Sequence, residues 1–222
     1  MPLNTIFFDV GNTLLFQNHQ RTLAALHERR WMPTREQLYA IERETKPRYD
    51  TLLVNHGKTD HGFWHIFYER LLETLGLEDG GVHQALVEAT RLSANWDQCR
   101  RGTRELLERI AGRYRIGVIS NADGKIAEVL ERCGIADCFL TITDSGIVGH
   151  EKPAPEIFHA ALRQLDARAE ESLYVGDVYS VDYRGATRVG MQAILFDVSG
   201  AYRERGLPRV ESLEELGTQL GC

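Results

Sequence analysis

Cysteine is scarce in this chain. Its four thiols among 222 residues, Cys99, Cys133, Cys138 and Cys222, form no C-x-x-C pair and have no histidine at zinc spacing. That pattern excludes a zinc clip and the disulfide framework of a small secreted scaffold, and it fits reduced cytoplasmic thiols. Long apolar runs are also missing: no stretch reaches the roughly 18 residues of a membrane helix, so no membrane span is expected. The opening residues lack a basic region followed by a long apolar stretch, so a secretory leader is not expected and the expected location is cytoplasmic. Positive charge is in deficit, with 26 Lys and Arg against 32 Asp and Glu and a net charge of -6. That balance argues against a nucleic-acid partner, because phosphate backbones reward a basic surface. A small phosphorylated molecule remains open, since a site can be locally positive around a metal whatever the net charge. Internal repeats and low-complexity segments are absent. What remains is the ordinary mix of a globular protein, 43% hydrophobic and 26% charged, long enough for one large domain or one domain with an insertion.

From about residue 100 onward, helical and strand patterns alternate. Residues 102–111 carry Leu106, Leu107 and Ile110 at helical spacing, and 115–119 form an apolar run ending at Ser120-Asn121. Helices are expected over 123–133, closed by Gly134, over 155–165 and over 183–189; strands are expected over 139–142, 172–175 and 193–196. A capping box, Ser212 with Glu215, marks a closing helix at 212–220. Short apolar strands alternating with helices imply a parallel sheet covered on both faces. Asp9, Ser120 and Asp177 each follow such a strand, and these positions gather at the carboxyl edge of an open parallel sheet, where ligands bind. Residues 16–96 differ. They show helical patterns over 19–31, 34–54, 62–75 and 82–92, punctuated by Pro33, Pro47, Gly57 and Gly80-Gly81, and no convincing strand. The expected fold is therefore α/β, with a Rossmann-like core formed by residues 1–15 and 97–222 and an all-helical subdomain inserted at 16–96.

Four short patterns carry chemistry. Asp9-Val10-Gly11-Asn12-Thr13 follows the first apolar run; Gly117-Val118-Ile119-Ser120-Asn121 follows the second; Lys152 stands in Gly149-His150-Glu151-Lys152-Pro153; Val175-Gly176-Asp177 is followed by Asp182. Singly each has a plain reading: an Asp after a strand as a turn residue, Ser120-Asn121 or Asp182 as a helix cap, Lys152 as a solvated loop lysine. In series and in this order, they resemble the motifs of the haloacid dehalogenase (HAD) superfamily, and the helical segment resembles its type 1 cap. The resemblance implies an aspartate nucleophile at Asp9 that attacks phosphorus. It implies Mg²⁺ held by Asp9, the carbonyl of Gly11, Asp177 and Asp182, an oxygen-only set that suits the ion. It also implies that Ser120, Asn121, Lys152 and Thr13 contact the phosphoryl group, with Lys152 neutralising charge. The partner it implies is a small phosphorylated molecule, bound by a monomer or homodimer.

One expected part is missing. HAD phosphatases read Asp-x-Asp-x-Thr, and the second Asp, the general acid/base, is here Gly11. Such groups contribute about 10²–10⁴-fold. Leaving groups of low pKa, as in acyl or aryl phosphates, suffer least from the loss. His19, or His61 and His65 of the insert, could substitute, although surface histidines are the plainer reading. Halide displacement needs no proton and is an alternative, as is phosphonatase-like chemistry with a lysine from the insert; Lys46 and Lys58 read more simply as solvated. A HAD fold that binds without turnover is a further alternative, opposed by retention of Asp9, Ser120, Lys152 and Asp177. In the insert, Phe63, Trp64, Phe67 and Tyr68 read as bundle core, and Arg43, Arg48 and Arg70 could grip an acidic group or simply face solvent.

Overall fold

The computed structural model describes residues 2–56 and 62–222. Lys58 and His61 fall outside the described residues. The strands are β1 (Thr5–Phe8), β2 (Leu15–Phe16), β3 (Gln98–Cys99), β4 (Arg115–Ser120), β5 (Thr141–Asp144), β6 (Ser172–Gly176), β7 (Gln192–Phe196) and β8 (Arg209–Val210). Six of them form one sheet in the order β5-β4-β1-β6-β7-β8, and every pairing in it is parallel. All four residues of β1 are buried, as a strand with helices over both faces must be. Phe8 pairs with Val118 on one side and Val175 on the other. Gly117 is glycine because a Cβ there would lie 2.8 Å from Thr141 and 3.0 Å from the Phe7 ring.

One sheet face packs Ile6, Phe8, Val118 and Val175 against Leu106, Leu107, Ile110, Val129 and Leu216. These come from helices α1 (Thr103–Ala111), α2 (Ile126–Arg132) and α3 (Leu213–Leu220). The other face packs Phe7, Ile119 and Tyr174 against Ile157, Phe158 and Ala161 of helix Pro155–Gln164 and Ala186 of helix Arg184–Arg188. The capping box is present, with Ser212 Oγ accepting from the Glu215 N–H at 3.1 Å, while the Glu215 carboxylate accepts from Glu211 N–H, one residue before the cap. The strand expected at 139–142 starts two residues later, at Thr141, and Leu140 before it is 64% exposed.

Between β2 and β3 every regular element among the described residues is helical. Residues 19–31 do not make one helix but two single turns, His19–Thr22 and Ala24–His27. Arg35–His56 is one long helix that runs through Pro47, whose missing N–H interrupts the hydrogen bonding without ending the element. Helices Gly62–Leu75 and Gly80–Arg91 complete the insert, and the aromatic-rich bundle core of Tyr49, Phe63, Phe67, Tyr68, Leu71 and Leu86 includes Val178 and Val181 from beyond β6. The sequence pattern did not reveal the two-residue antiparallel ribbon β2–β3 that joins the two ends of the insert. No described helix is long and apolar enough to cross a membrane.

Candidate active site

Because β4, β1 and β6 are adjacent and parallel, the residues that follow them meet. Asp9 continues β1, its N–H donating to the Val175 carbonyl at 2.8 Å; Ser120 ends β4 and Asp177 follows β6. Carboxylate oxygens of Asp9, Asp177 and Asp182 all lie within 4.8 Å of one another, and all three residues are buried. Lys152 is 3% exposed and reaches into the cluster from the loop before helix Pro155–Gln164. Its ammonium donates to Asp9 Oδ1 at 2.6 Å, Asp182 Oδ1 at 2.7 Å and the Tyr174 hydroxyl at 2.8 Å. Tyr174 in turn donates to the Ile119 carbonyl at 3.0 Å, and Asp182 Oδ2 accepts from the Val178 N–H at 2.9 Å. The lysine is thus fixed at all three of its donor positions.

Lys46 corrects the reading that it is solvated. It is 1% exposed and projects from the middle of helix Arg35–His56 to Glu42 Oε1 at 2.6 Å and Asp177 Oδ2 at 3.0 Å. One turn later Asp50 accepts from Ser180 N–H at 2.9 Å and pairs with Arg205 at 3.3 Å. This helix face is polar where it meets the acidic loop, so the apolar periodicity used to find buried positions passes over it.

The cluster carries excess negative charge. Asp9, Asp177, Asp182 and Glu42 face two ammonium groups, Lys46 and Lys152. Burial pushes the Asp9 carboxyl up to about 7, opposed by Lys152 and reinforced by Asp182 and Asp177. Burial likewise pushes Asp177 up to about 6, opposed by Lys46. Burial works against the charged forms of both lysines, but the adjacent carboxylates outweigh it and hold Lys152 and Lys46 above the usual lysine range. Asp9 and Asp177 each engage a lysine through one oxygen; among the described residues the other oxygen of each has no donor. Two carboxylate oxygens without a donor, in a buried cluster of four acidic groups against two ammonium groups, fit a divalent cation with oxygen preference.

A cavity of about 230 Å³ opens over the cluster, lined by Asp9, Gly11, Ser120, Lys152, Asp177 and Asp182 and walled by Tyr49, Phe63, Trp64 and Trp96. Asn121 lines it too, but both ends of its side-chain amide bind the Lys152 backbone, at 2.7 and 3.0 Å. It clamps the lysine's loop, and its hydrogen-bonding side-chain atoms are already engaged. Thr13 departs from the expected phosphoryl contact. Folded under the turn in which Leu14 and Leu15 N–H bind the Val10 carbonyl, it is fully buried, does not line the cavity, and its hydroxyl has no partner. Arg43 and Arg70 pair with Glu36, Glu44 and Glu73, and neither they nor Arg48 line the cavity; Arg91 does. His19 lines a separate cavity beside the insert, and His65 packs its ring on His83, so neither stands at Gly11. Asp144, at the end of β5, went unnoticed in the sequence. Its carboxylate accepts from Gly124, Ile126 and Gly146 N–H and so shapes the loop after Ser120.

Comparison with known proteins bears on the family and the fold. The family model described as haloacid dehalogenase-like hydrolase matches residues 3–190. Haloacid dehalogenase-like hydrolase domain-containing protein 3 of Bos taurus is 27% identical over 210 residues, covering 88% of this chain and 82% of the relative. Pyrimidine 5'-nucleotidase YjjG of Escherichia coli is 28% identical over 231 residues, covering 100% of this chain and 99% of the relative. The solved HAD-hydrolase YfnB from Bacillus subtilis, bound to magnesium, superposes with a TM-score of 0.70 at 20% identity over 100% of both chains, a likeness of fold.

Proposed function

The chain belongs to the haloacid dehalogenase-like hydrolase family, and on that premise we propose that it hydrolyses a small phosphate monoester through an aspartyl-phosphate on Asp9. The observation that carries this reading is the contact of Lys152 with both Asp9 and Asp182, at 2.6 and 2.7 Å, in a buried acidic cluster open to a cavity. Phosphoryl transfer is mainly positioning and charge neutralisation, and these residues supply both. The Asp9 carboxylate attacks phosphorus while Lys152 offsets the charge that gathers on the phosphoryl oxygens. Ser120, 4% exposed and lining the cavity, holds one of those oxygens, aided by the backbone N–H groups that follow it. Asp182 and Tyr174 act behind Lys152, aiming its ammonium at Asp9. Mg²⁺, when bound, would cancel the excess charge of the cluster and of the phosphoryl group; Asp9, Asp177 and the Gly11 carbonyl would hold it, with Asp182 behind them. Residues 16–96 serve as a cap, fastened through Lys46 and Asp50, and its closure excludes water from the site.

A nucleotidase among the full-length relatives supports a phosphorylated metabolite as the substrate class. The test is Asp9→Asn. It keeps shape and hydrogen bonding but removes the nucleophile, so Mg²⁺-dependent phosphate release should fall below detection. Release at the wild-type rate would refute the role of Asp9.

A further inference from the structure

An aromatic ring lies against the place of the missing proton donor. A Cβ built on Gly11 would lie 3.3 Å from Cζ3 of Trp96 and 3.6 Å from its Cε3 and Cη2. The Gly11 backbone is not among the positive-φ positions, so its conformation does not demand glycine, but the indole beside it leaves a side chain little room: the ring would have to give by a few tenths of an ångström even for a Cβ. That indole is fixed: its Nε1 donates to the Thr90 carbonyl at 2.8 Å, its backbone N–H donates to the Ser93 carbonyl at 2.9 Å, and its ring meets Trp64 edge-on at 5.5 Å. Among the other carboxyl groups lining the cavity, Asp177 and Asp182 are held by lysines and Asp123 by the Ser93 hydroxyl at 2.5 Å. Glu151 is the one without a partner among the described residues, and it is the rival donor. Arg91 is always protonated and transfers nothing.

From this we propose, resting on the phosphatase reading above, that Trp96 turns the leaving-group side of the site into an aromatic slot for phosphate esters of phenols, which depart as oxyanions without a proton donor. The slot is walled by Trp96, Trp64, Phe63, Tyr49 and Val181. The cavity as a whole, phosphoryl space included, is about 230 Å³, against the ~150 Å³ that accommodates a benzene ring alone, and offset or edge-on ring contacts add about 0.5–1.5 kcal/mol beyond burial. The step balances without an acid. An Asp9 oxygen forms a bond to phosphorus, the phosphorus–oxygen bond to the aryl group breaks, and its electron pair leaves on the phenolate. Water then attacks phosphorus, the bond to Asp9 breaks, the carboxylate is restored, and the water's proton leaves with phosphate or to solvent.

The test is a leaving-group series: phenyl phosphates with phenols of graded acidity, plus glycerol phosphate, assayed by phosphate release with Mg²⁺. For the wild type, kcat/KM should fall steeply as the leaving group becomes more basic, with glycerol phosphate about 10²–10⁴-fold below the activated aryl esters, the usual worth of an absent general acid. Gly11→Asp alone should not restore the alkyl ester, because Trp96 crowds the new side chain. Gly11→Asp with Trp96→Ala should raise glycerol phosphate turnover tenfold or more and, because the slot loses its ring, lower kcat/KM for the activated aryl ester. A flat wild-type series would overturn the proposal, as would restoration by Gly11→Asp alone; loss of the flat series in Glu151→Gln would then assign the donor to Glu151. The wild-type slope needs no variant and stands even if the double variant does not fold. Absence of phosphate release from every ester would refute the underlying phosphatase reading instead.

Discussion

Replacing Lys46 by Met removes the ammonium and keeps an unbranched side chain only one atom shorter. In the structure that ammonium is 1% exposed and binds Asp177 at 3.0 Å and Glu42 at 2.6 Å. Without it, and without metal, two carboxylates of the cluster lose their partner in a buried setting. Breaking a buried ion pair from one side costs about 3–5 kcal/mol. For a chain of this size that cost lowers Tm by about 6–20 °C, at roughly 2–4 °C per kcal/mol. The same change makes the cluster more negative by one charge next to an expected metal ligand. Two unit charges ~4 Å apart interact by about 4 kcal/mol at an effective dielectric near 20, and rearrangement absorbs part of that. Mg²⁺ affinity, measured by titration calorimetry, should therefore rise at least tenfold, about 1.4 kcal/mol. Thermal unfolding in EDTA and in saturating Mg²⁺ separates the two effects: the variant should lose stability in EDTA and regain much of it with Mg²⁺. Unchanged Mg²⁺ affinity together with a Tm within 2 °C of wild type would refute the placement of Lys46 against the acidic cluster.

Two further outcomes follow from the same geometry. Gly176→Ala places a Cβ 2.5 Å from Asp182 Cγ. Relieving that clash moves Asp182 off Lys152, so turnover should drop at least tenfold and stability by about 1–3 kcal/mol, read by phosphate release and chemical denaturation; wild-type behaviour would contradict the contact. The second outcome concerns pH. The Asp9 carboxyl is raised in the fold to about 7 from a usual 3.8, so the native state holds a proton there that the unfolded chain releases. Stability attributable to this group therefore falls as pH rises through the window between those values. Asp9→Asn cannot ionise, so in EDTA its Tm should gain on the wild type from pH 5 to pH 8; a constant difference would refute the burial of a charged Asp9.

Much of the fold was legible because its signals are local and apolar. β1, β4, β6 and β7 are short runs of buried residues, and in a parallel sheet such runs place Asp9, Ser120 and Asp177 at one edge whatever the loops do. The four motifs therefore located the centre. Other features were hidden because they depend on contacts far apart in sequence. Lys46 meets Asp177 across 131 positions of chain, and no periodicity marks a polar helix face that is buried by ion pairing. Trp96 reads as an ordinary aromatic at the end of the insert until the fold brings it onto Gly11. Asn121 looked like a phosphate contact, but only the structure shows that its amide clamps Lys152. Thr13 follows the family pattern by position, yet the tight turn after Val10 buries it away from the cavity. The helix expected over 34–54 is present as Arg35–His56, Pro47 included, whereas the pattern over 19–31 breaks into two turns.

The central claim is that Asp9 takes the phosphoryl group. Its most direct measurement is the rapid-mixing time course of p-nitrophenol release from p-nitrophenyl phosphate, with Mg²⁺ and with EDTA, alongside Asp9→Asn. A working Asp9 without an acid/base at residue 11 predicts an Mg²⁺-dependent burst close to one equivalent per chain and then a slower phase limited by water attack, with no burst in EDTA or in Asp9→Asn. A burst that survives in Asp9→Asn, or no p-nitrophenol release from the wild type in Mg²⁺, would contradict it.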